Sequence, residues 1–100
     1  MDPELSDIRI ADVVTATAGR EKGKLFYVLG IEADMLLLGN GKDRTLEKPK
    51  RKKIKHVQKV LRSETRVADK LKSGDKVLNS ELRRDLAFHG RAMQSNDLGG

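Results

Sequence analysis

From Ile8 to Leu61 the apolar residues come in short, β-branched runs separated by Gly, Asn, Asp or Pro, which is the pattern of strands. Ile10, Val13, Val14, Thr15 and Thr17 form the first run and give way at Gly19 to a charged loop. Leu25 to Ile31 reads as a second strand, with Gly30 inside it as the mark of a bulge or sharp bend. Glu32 and Asp34 flank a tight turn into a third strand, Met35 to Gly39. Asn40-Gly41 then predicts a type I′ hairpin, because that turn needs positive φ at both central residues. Arg44 to Lys48 is expected as a short fourth strand ended by Pro49, and Ile54 to Leu61 as a fifth. Five short strands joined by tight turns predict a mainly β fold, a small and strongly bent barrel.

Beyond Arg62 the period lengthens. Ser63 is placed to cap a short helix carrying Val67 and Leu71, closed at Ser73-Gly74. Asn79 or Ser80 is placed to cap a second helix, with Leu82 and Leu86 one turn apart and Gly90 as its stop. The apolar stripe on both is narrow, so they must pack on the barrel or on a partner. The expected organisation is a barrel over residues 8–61, a helical extension over 63–90, and flexible termini at 1–7 and 91–100. No internal repeat is visible.

Charge sharpens this picture. Between Lys42 and Arg62 stand ten Lys or Arg against two acids, a local net of +8 in a chain whose net charge is +6. The whole positive excess therefore sits in one fifth of the length, and a polyanion is its natural partner, since phosphate neutralisation releases condensed counterions. Leu46, Ile54, Val57, Val60 and Leu61 interleave the cations and need burial, unlike a solvated tail. Only Phe26, Tyr27 and Phe88 are aromatic, too few for a multi-base stacking platform. Phe26 and Tyr27 point to opposite sheet faces, so one is expected in the core and the other at its rim. Cysteine is absent, which excludes disulfides and thiolate metal sites. With no apolar run near membrane-spanning length and an acidic start, the expectation is a soluble cytoplasmic protein that binds no membrane.

The loop between the first two strands reads Ala18-Gly19-Arg20-Glu21-Lys22-Gly23-Lys24, with glycines that permit positive φ and alternating cations. The chain later carries Asn40-Gly41-Lys42-Asp43-Arg44 and Pro49-Lys50-Arg51-Lys52-Lys53-Ile54-Lys55-His56. These three segments, in this order over residues 8–61, resemble the KOW-domain RNA-binding proteins related to a large-subunit ribosomal protein of archaea and eukaryotes, short bacterial relatives included. The resemblance implies an SH3-like barrel docking on structured RNA, ribosomal RNA foremost. Asn40 departs from the Asp common in the family, which leaves the turn unaffected because both residues suit it.

Other chemistry is disfavoured. The glycine loop is one residue too short for a phosphate-binding P-loop and has Leu25 where Ser or Thr would hold magnesium. His56 and His89 lack partners at ligand spacing, so packing or hydrogen bonding is the expected role of each, with a phosphate contact open to His56. No nucleophile has a partner, so no catalysis, metal or cofactor is expected. The candidate RNA-binding residues are Gly19, Arg20, Lys22, Gly23 and Lys24 in the loop, Arg44 and Lys48 beyond it, and Lys50, Arg51, Lys52, Lys53, Lys55 and His56 in the basic segment. The expected molecule is a monomeric ribosomal-protein-like or ribosome-associated factor that reads shape and backbone, with ribosomal proteins as possible neighbours. Two rivals stand beside it: a protein-interaction module docking on RNA polymerase or another assembly, and adhesion to an anionic membrane surface.

Overall fold

Five strands form before the first helix: β1 (Asp12–Ala16), β2 (Leu25–Glu32), β3 (Met35–Gly39), β4 (Lys50–Lys53) and β5 (Val57–Arg62). A computed structural model describes residues 7–99, with side chains as far as Met93. The ladders between these strands are antiparallel, in the order β4-β3-β2-β1-β5. β4 and β5 are consecutive in the chain yet lie at opposite edges, joined only by a 3₁₀ turn at Ile54–His56. Such a turn advances roughly 6 Å, whereas a flat five-stranded sheet is about 19 Å across. The sheet must therefore curl until its edges approach. It stays open, because no ladder joins β4 to β5 among the described residues.

Two bulges provide the curvature. The β1–β5 register shifts between Val13 and Val14, and the β2–β3 register shifts between Val28 and Gly30, where the sequence predicted a bend. Curling also gives the sheet two covered faces. The inner face buries Ile8, Val14, Ala16, Phe26, Val28, Leu36, Leu38 and Val57, with Ile54 packed against them. The outer face buries Val13 and Tyr27 beneath two helices, α1 (Arg66–Ser73) and α2 (Asn79–Gly99), which contribute Val67, Leu82 and Leu86. Phe26 and Tyr27 do point to opposite faces, but both are fully buried, and neither is at a rim. Burying a large apolar side chain stabilises by about 1.5–3 kcal/mol, so each face is a core in its own right.

The helix ends differ from expectation. Thr65, not Ser63, caps α1 by accepting a hydrogen bond from the Ala68 amide at 3.2 Å, while Gly74 closes the helix as expected. Ser63 is buried because its hydroxyl joins a polar cluster. The Tyr27 hydroxyl donates to Asp85 and lies 2.9 Å from Ser63 Oγ and 3.2 Å from His89 Nε2. Thr65 Oγ1 donates to the same Asp85 oxygen at 2.9 Å. Burial first, and the Asp85 bond second, push the Tyr27 hydroxyl up to about 12. The cluster fastens α2 to the sheet, and His89 is the hydrogen-bonded histidine the sequence predicted.

Gly90 does not stop α2, which runs on to Gly99; Gly90 instead faces Leu25, where a Cβ would make an ordinary contact at 3.8 Å. The proposed flexible tail is thus helical over 91–99. Of the proposed flexible start, residues 1–6 lie outside the described residues. Asp7 is held by Lys59 Nζ at 3.1 Å and by Arg62 Nη2 at 3.4 Å.

Candidate nucleic-acid interface

β3 is apolar on both sides of its backbone, with buried Leu36 and Leu38 alternating with half-buried Met35 and Leu37, and it requires a strand on its free edge. Lys50–Lys53 supplies that strand despite poor β propensity, pairing Leu38 with Lys50, Leu37 with Arg51, Leu36 with Lys52 and Met35 with Lys53. The expected fourth strand at Arg44 to Lys48 is instead an irregular loop, and β4 begins immediately after Pro49. The expected fifth strand likewise starts at Val57, because Ile54–His56 forms the 3₁₀ turn that carries the chain around the curl.

Alternation then divides the basic run. Lys50 and Lys52 share the face of Leu36 and Leu38, whereas Arg51 and Lys53 share the opposite face. Arg51 pairs with Glu32 at 3.3 Å, with both side chains more than half exposed, an ion pair worth little. The four residues therefore do not make one patch.

On the inner side the cations meet the glycine loop. Gly19 and Gly23 hold φ of +81° and +87°, as the loop predicted, and a Cβ on Gly19 would lie 3.3 Å from Lys52 Nζ. The Lys52 ammonium thus rests against the loop backbone. Glu21 is buried and receives the Arg44 fork, Nε to Oε2 at 3.1 Å and Nη2 to Oε1 at 3.0 Å. The Arg44 hydrogen bond holds the Glu21 carboxyl below its ordinary range against the opposing cost of burial, and the charges of Arg44, Lys50 and Lys24 lower it further. Lys24 Nζ pairs with Asp43 Oδ2 at 2.7 Å; this bond, with one from Asn40, lowers the Asp43 carboxyl to about 2. The loop around residues 18–24 is braced to the loop around 40–44 by two ion pairs.

Asn40-Gly41 does not make a type I′ hairpin, since Gly41 alone of the two has positive φ. Asn40 Oδ1 accepts from the amides of Lys42 at 2.9 Å and Arg44 at 3.0 Å, and this side-chain turn replaces the two-residue connection. The tight two-residue turn is at Ala33-Asp34, between paired Glu32 and Met35, where the sequence predicted a tight turn. α2 buttresses the longer loop. A Cβ on Gly41 would collide with the Asn79 carbonyl oxygen, and Arg83 Nη1 donates to the Gly41 carbonyl at 2.7 Å. Asn79, rather than capping its own helix, accepts from the Leu46 amide at 2.8 Å and donates to Glu47 at 2.9 Å.

Of the ten cations between Lys42 and Arg62, Arg44, Arg51, Lys59 and Arg62 have a carboxylate within 4.0 Å among the described residues. Lys42, Lys48, Lys50, Lys52, Lys53 and Lys55 have none, nor do Arg20 and Lys22 in the glycine loop. Lys59 and Arg62 converge on buried Asp12 as well as Asp7, at the far end of β5. Lys55 is exposed, and His56 is half-buried with its carbonyl accepting from the Thr17 amide at 2.9 Å. The structure thus brings together Gly19, Lys24, Arg44, Lys50 and Lys52, with Arg20, Lys22 and Gly23 on the same loop, and turns Arg51 and Lys53 away. Sequence reasoning missed Asn79 and Arg83, although Arg83 lies off the Leu82–Leu86 stripe and so had to face outward. Among the described residues no group of His, Asp and Glu suits a metal ion, and no helix is long and apolar enough to cross a membrane. No family model matches the chain, and no curated protein is similar to it.

Proposed function

We propose that the chain is an RNA-binding protein of the KOW type, an SH3-like barrel that docks on structured RNA as a ribosomal-protein-like or ribosome-associated factor. The observation that carries this reading is the seating of Lys52 against Gly19, with Lys50 close enough to act on Glu21. The two segments identified separately as basic, the glycine loop and β4, meet at one end of the curled sheet. Arg20, Lys22, Lys50 and Lys52 are left there with no acidic partner among the described residues, a surface suited to phosphates. The Glu21–Arg44 and Lys24–Asp43 pairs hold the loops in place before binding, which lowers the ordering cost of association. Ribosomal RNA is the favoured target because Lys and Arg without a stacking platform read backbone and shape rather than sequence. No catalytic step is assigned.

Titration of RNA binding against salt tests the reading. If about six phosphates are neutralised, log affinity falls against log salt with a slope of roughly −4 to −5. Affinity independent of salt overturns it.

A further inference from the structure

The exposed face of α2 has a composition that helix packing does not explain. Arg83, Arg84, Ala87, Phe88 and Arg91 all face outward, while Leu82, Leu86 and His89 point to the sheet. Both acids of this stretch have partners of their own. Glu81 binds Lys70 Nζ at 2.9 Å and the Leu78 amide at 3.0 Å, and Asp85 accepts from Tyr27 and Thr65. Arg84 and Arg91 therefore flank an aromatic ring that is 53% exposed, while Arg83 reaches away to the Gly41 carbonyl. Phe88, Arg84 and Arg91 also line an open cavity of about 390 Å³ with Val67 and the already partnered Glu81 and Asp85, roomy enough for a nucleobase. Ala87, beside Phe88, lines a second cavity of about 470 Å³ with Lys24, Asn40, Lys42 and Asp43. One flank of the helix thus borders the basic loops.

We infer that the outer face of α2 is a second RNA contact, in which Phe88 stacks on one unpaired base while Arg84 and Arg91 bind the flanking phosphates. The inference rests on the RNA reading above and adds to it a preference for helical RNA interrupted by an unpaired nucleotide. Charge complementarity favours RNA over a protein partner, since Arg84 and Arg91 have no carboxylate within ion-pair distance among the described residues, while Glu81 and Asp85 of the same cavity are bonded to Lys70 and to Tyr27 and Thr65. An exposed ring between guanidinium groups suits a base, whose flat surface needs no particular hydrogen-bond pattern.

The probes are a short RNA duplex and the same duplex with one bulged adenosine. The parent protein should bind the bulged RNA more tightly. Phe88→Ala should remove that preference, a loss of roughly 5- to 100-fold, and leave the paired duplex unaffected. Phe88→Trp should restore it, which separates stacking from any effect on folding. Arg84→Ser with Arg91→Ser should weaken binding to both RNAs and reduce the salt slope by about 1.8. Unchanged binding by the Phe88→Ala and double-serine variants overturns the inference, whereas the proposed function still stands if replacing Lys50 and Lys52 weakens binding. A parent that binds neither RNA overturns both. Phe88→Ala that binds both RNAs like the parent but no longer co-sediments with ribosomes makes the face a protein interface, and also overturns the inference.

Discussion

The two basic regions of the molecule use their charge differently. In the loops around residues 18–24 and 40–44, Arg44 and Lys24 are tied to Glu21 and Asp43 and act as internal braces. In β4, Lys50, Lys52 and Lys53 have no acidic partner among the described residues, and only Arg51 is paired, with an exposed Glu32. A cation in a sequence is therefore not yet a binding residue. Whether a buried or neighbouring carboxylate claims it decides whether it stabilises the fold or remains free for phosphate.

The largest test of this division replaces Lys50, Arg51, Lys52 and Lys53 by Ser. Arg51 and Lys53 are exposed, where a substitution shifts stability by less than ~0.5 kcal/mol, and the half-buried Lys50 and Lys52 should cost somewhat more; the fold should survive, while RNA affinity falls at least about tenfold and the salt slope drops by about 3. Ribosome co-sedimentation should fall with it. The pair Lys50→Ser with Lys52→Ser should account for more of the loss than Arg51→Ser with Lys53→Ser, because the first pair lies against the glycine loop. Equal losses would show that the two faces of β4 contribute alike.

Next in size is Gly41→Val. It places a branched side chain at φ of +76° and against the Asn79 carbonyl, and should cost about 3 kcal/mol in denaturant unfolding. Gly23→Val, where a Cβ would meet nothing, should cost only the conformational share, about 1–2 kcal/mol. Equal costs would remove α2 from the support of the loop.

Arg44→Leu leaves the buried Glu21 carboxylate without its fork. Because the Arg44 side chain is 35% exposed, the expected cost is about 1–2 kcal/mol. The Glu21 carboxyl should titrate higher in the variant, which NMR can follow. An unchanged Glu21 titration would mean that the bridge does not hold that charge.

The smallest effect is at acid pH. Asp43 titrates at about 2 in the folded chain against an ordinary 3.8. Its contribution is therefore complete above pH 3.8 and is lost as pH falls through about 2. Asp43→Asn should flatten the dependence of melting temperature on pH in that window. A slope identical to that of the parent would show that other carboxylates carry it.

The same contrast marks what could be read from the chain. β1, β2 and β3 were legible because β-branched and leucine runs with Gly punctuation leave little choice. β4 was not, since four consecutive cations do not look like a strand; the open edge of β3 overrides their propensity. Asn40-Gly41 misled because an Asn side chain can itself close a turn, an option that dipeptide statistics do not separate from type I′. Gly90 looked like a helix stop but lies where α2 passes Leu25. The positive φ of Gly19 and Gly23 was legible in the loop between β1 and β2. The division of β4 between two faces was not, because it depends on register with β3, and pairing register is not written in either strand alone.

β4 has one further consequence, for self-association. It pairs with β3 alone among the described residues, so one row of its backbone hydrogen-bonding groups has no partner strand. A bare edge of this kind invites the same edge of another copy to add on. Two antiparallel copies of Lys50–Lys53 would set cation opposite cation at every position, and like charges directly opposed are repulsive. The lysines proposed to meet phosphate would therefore also oppose edge-to-edge association, and a chain stripped of them should self-associate more readily.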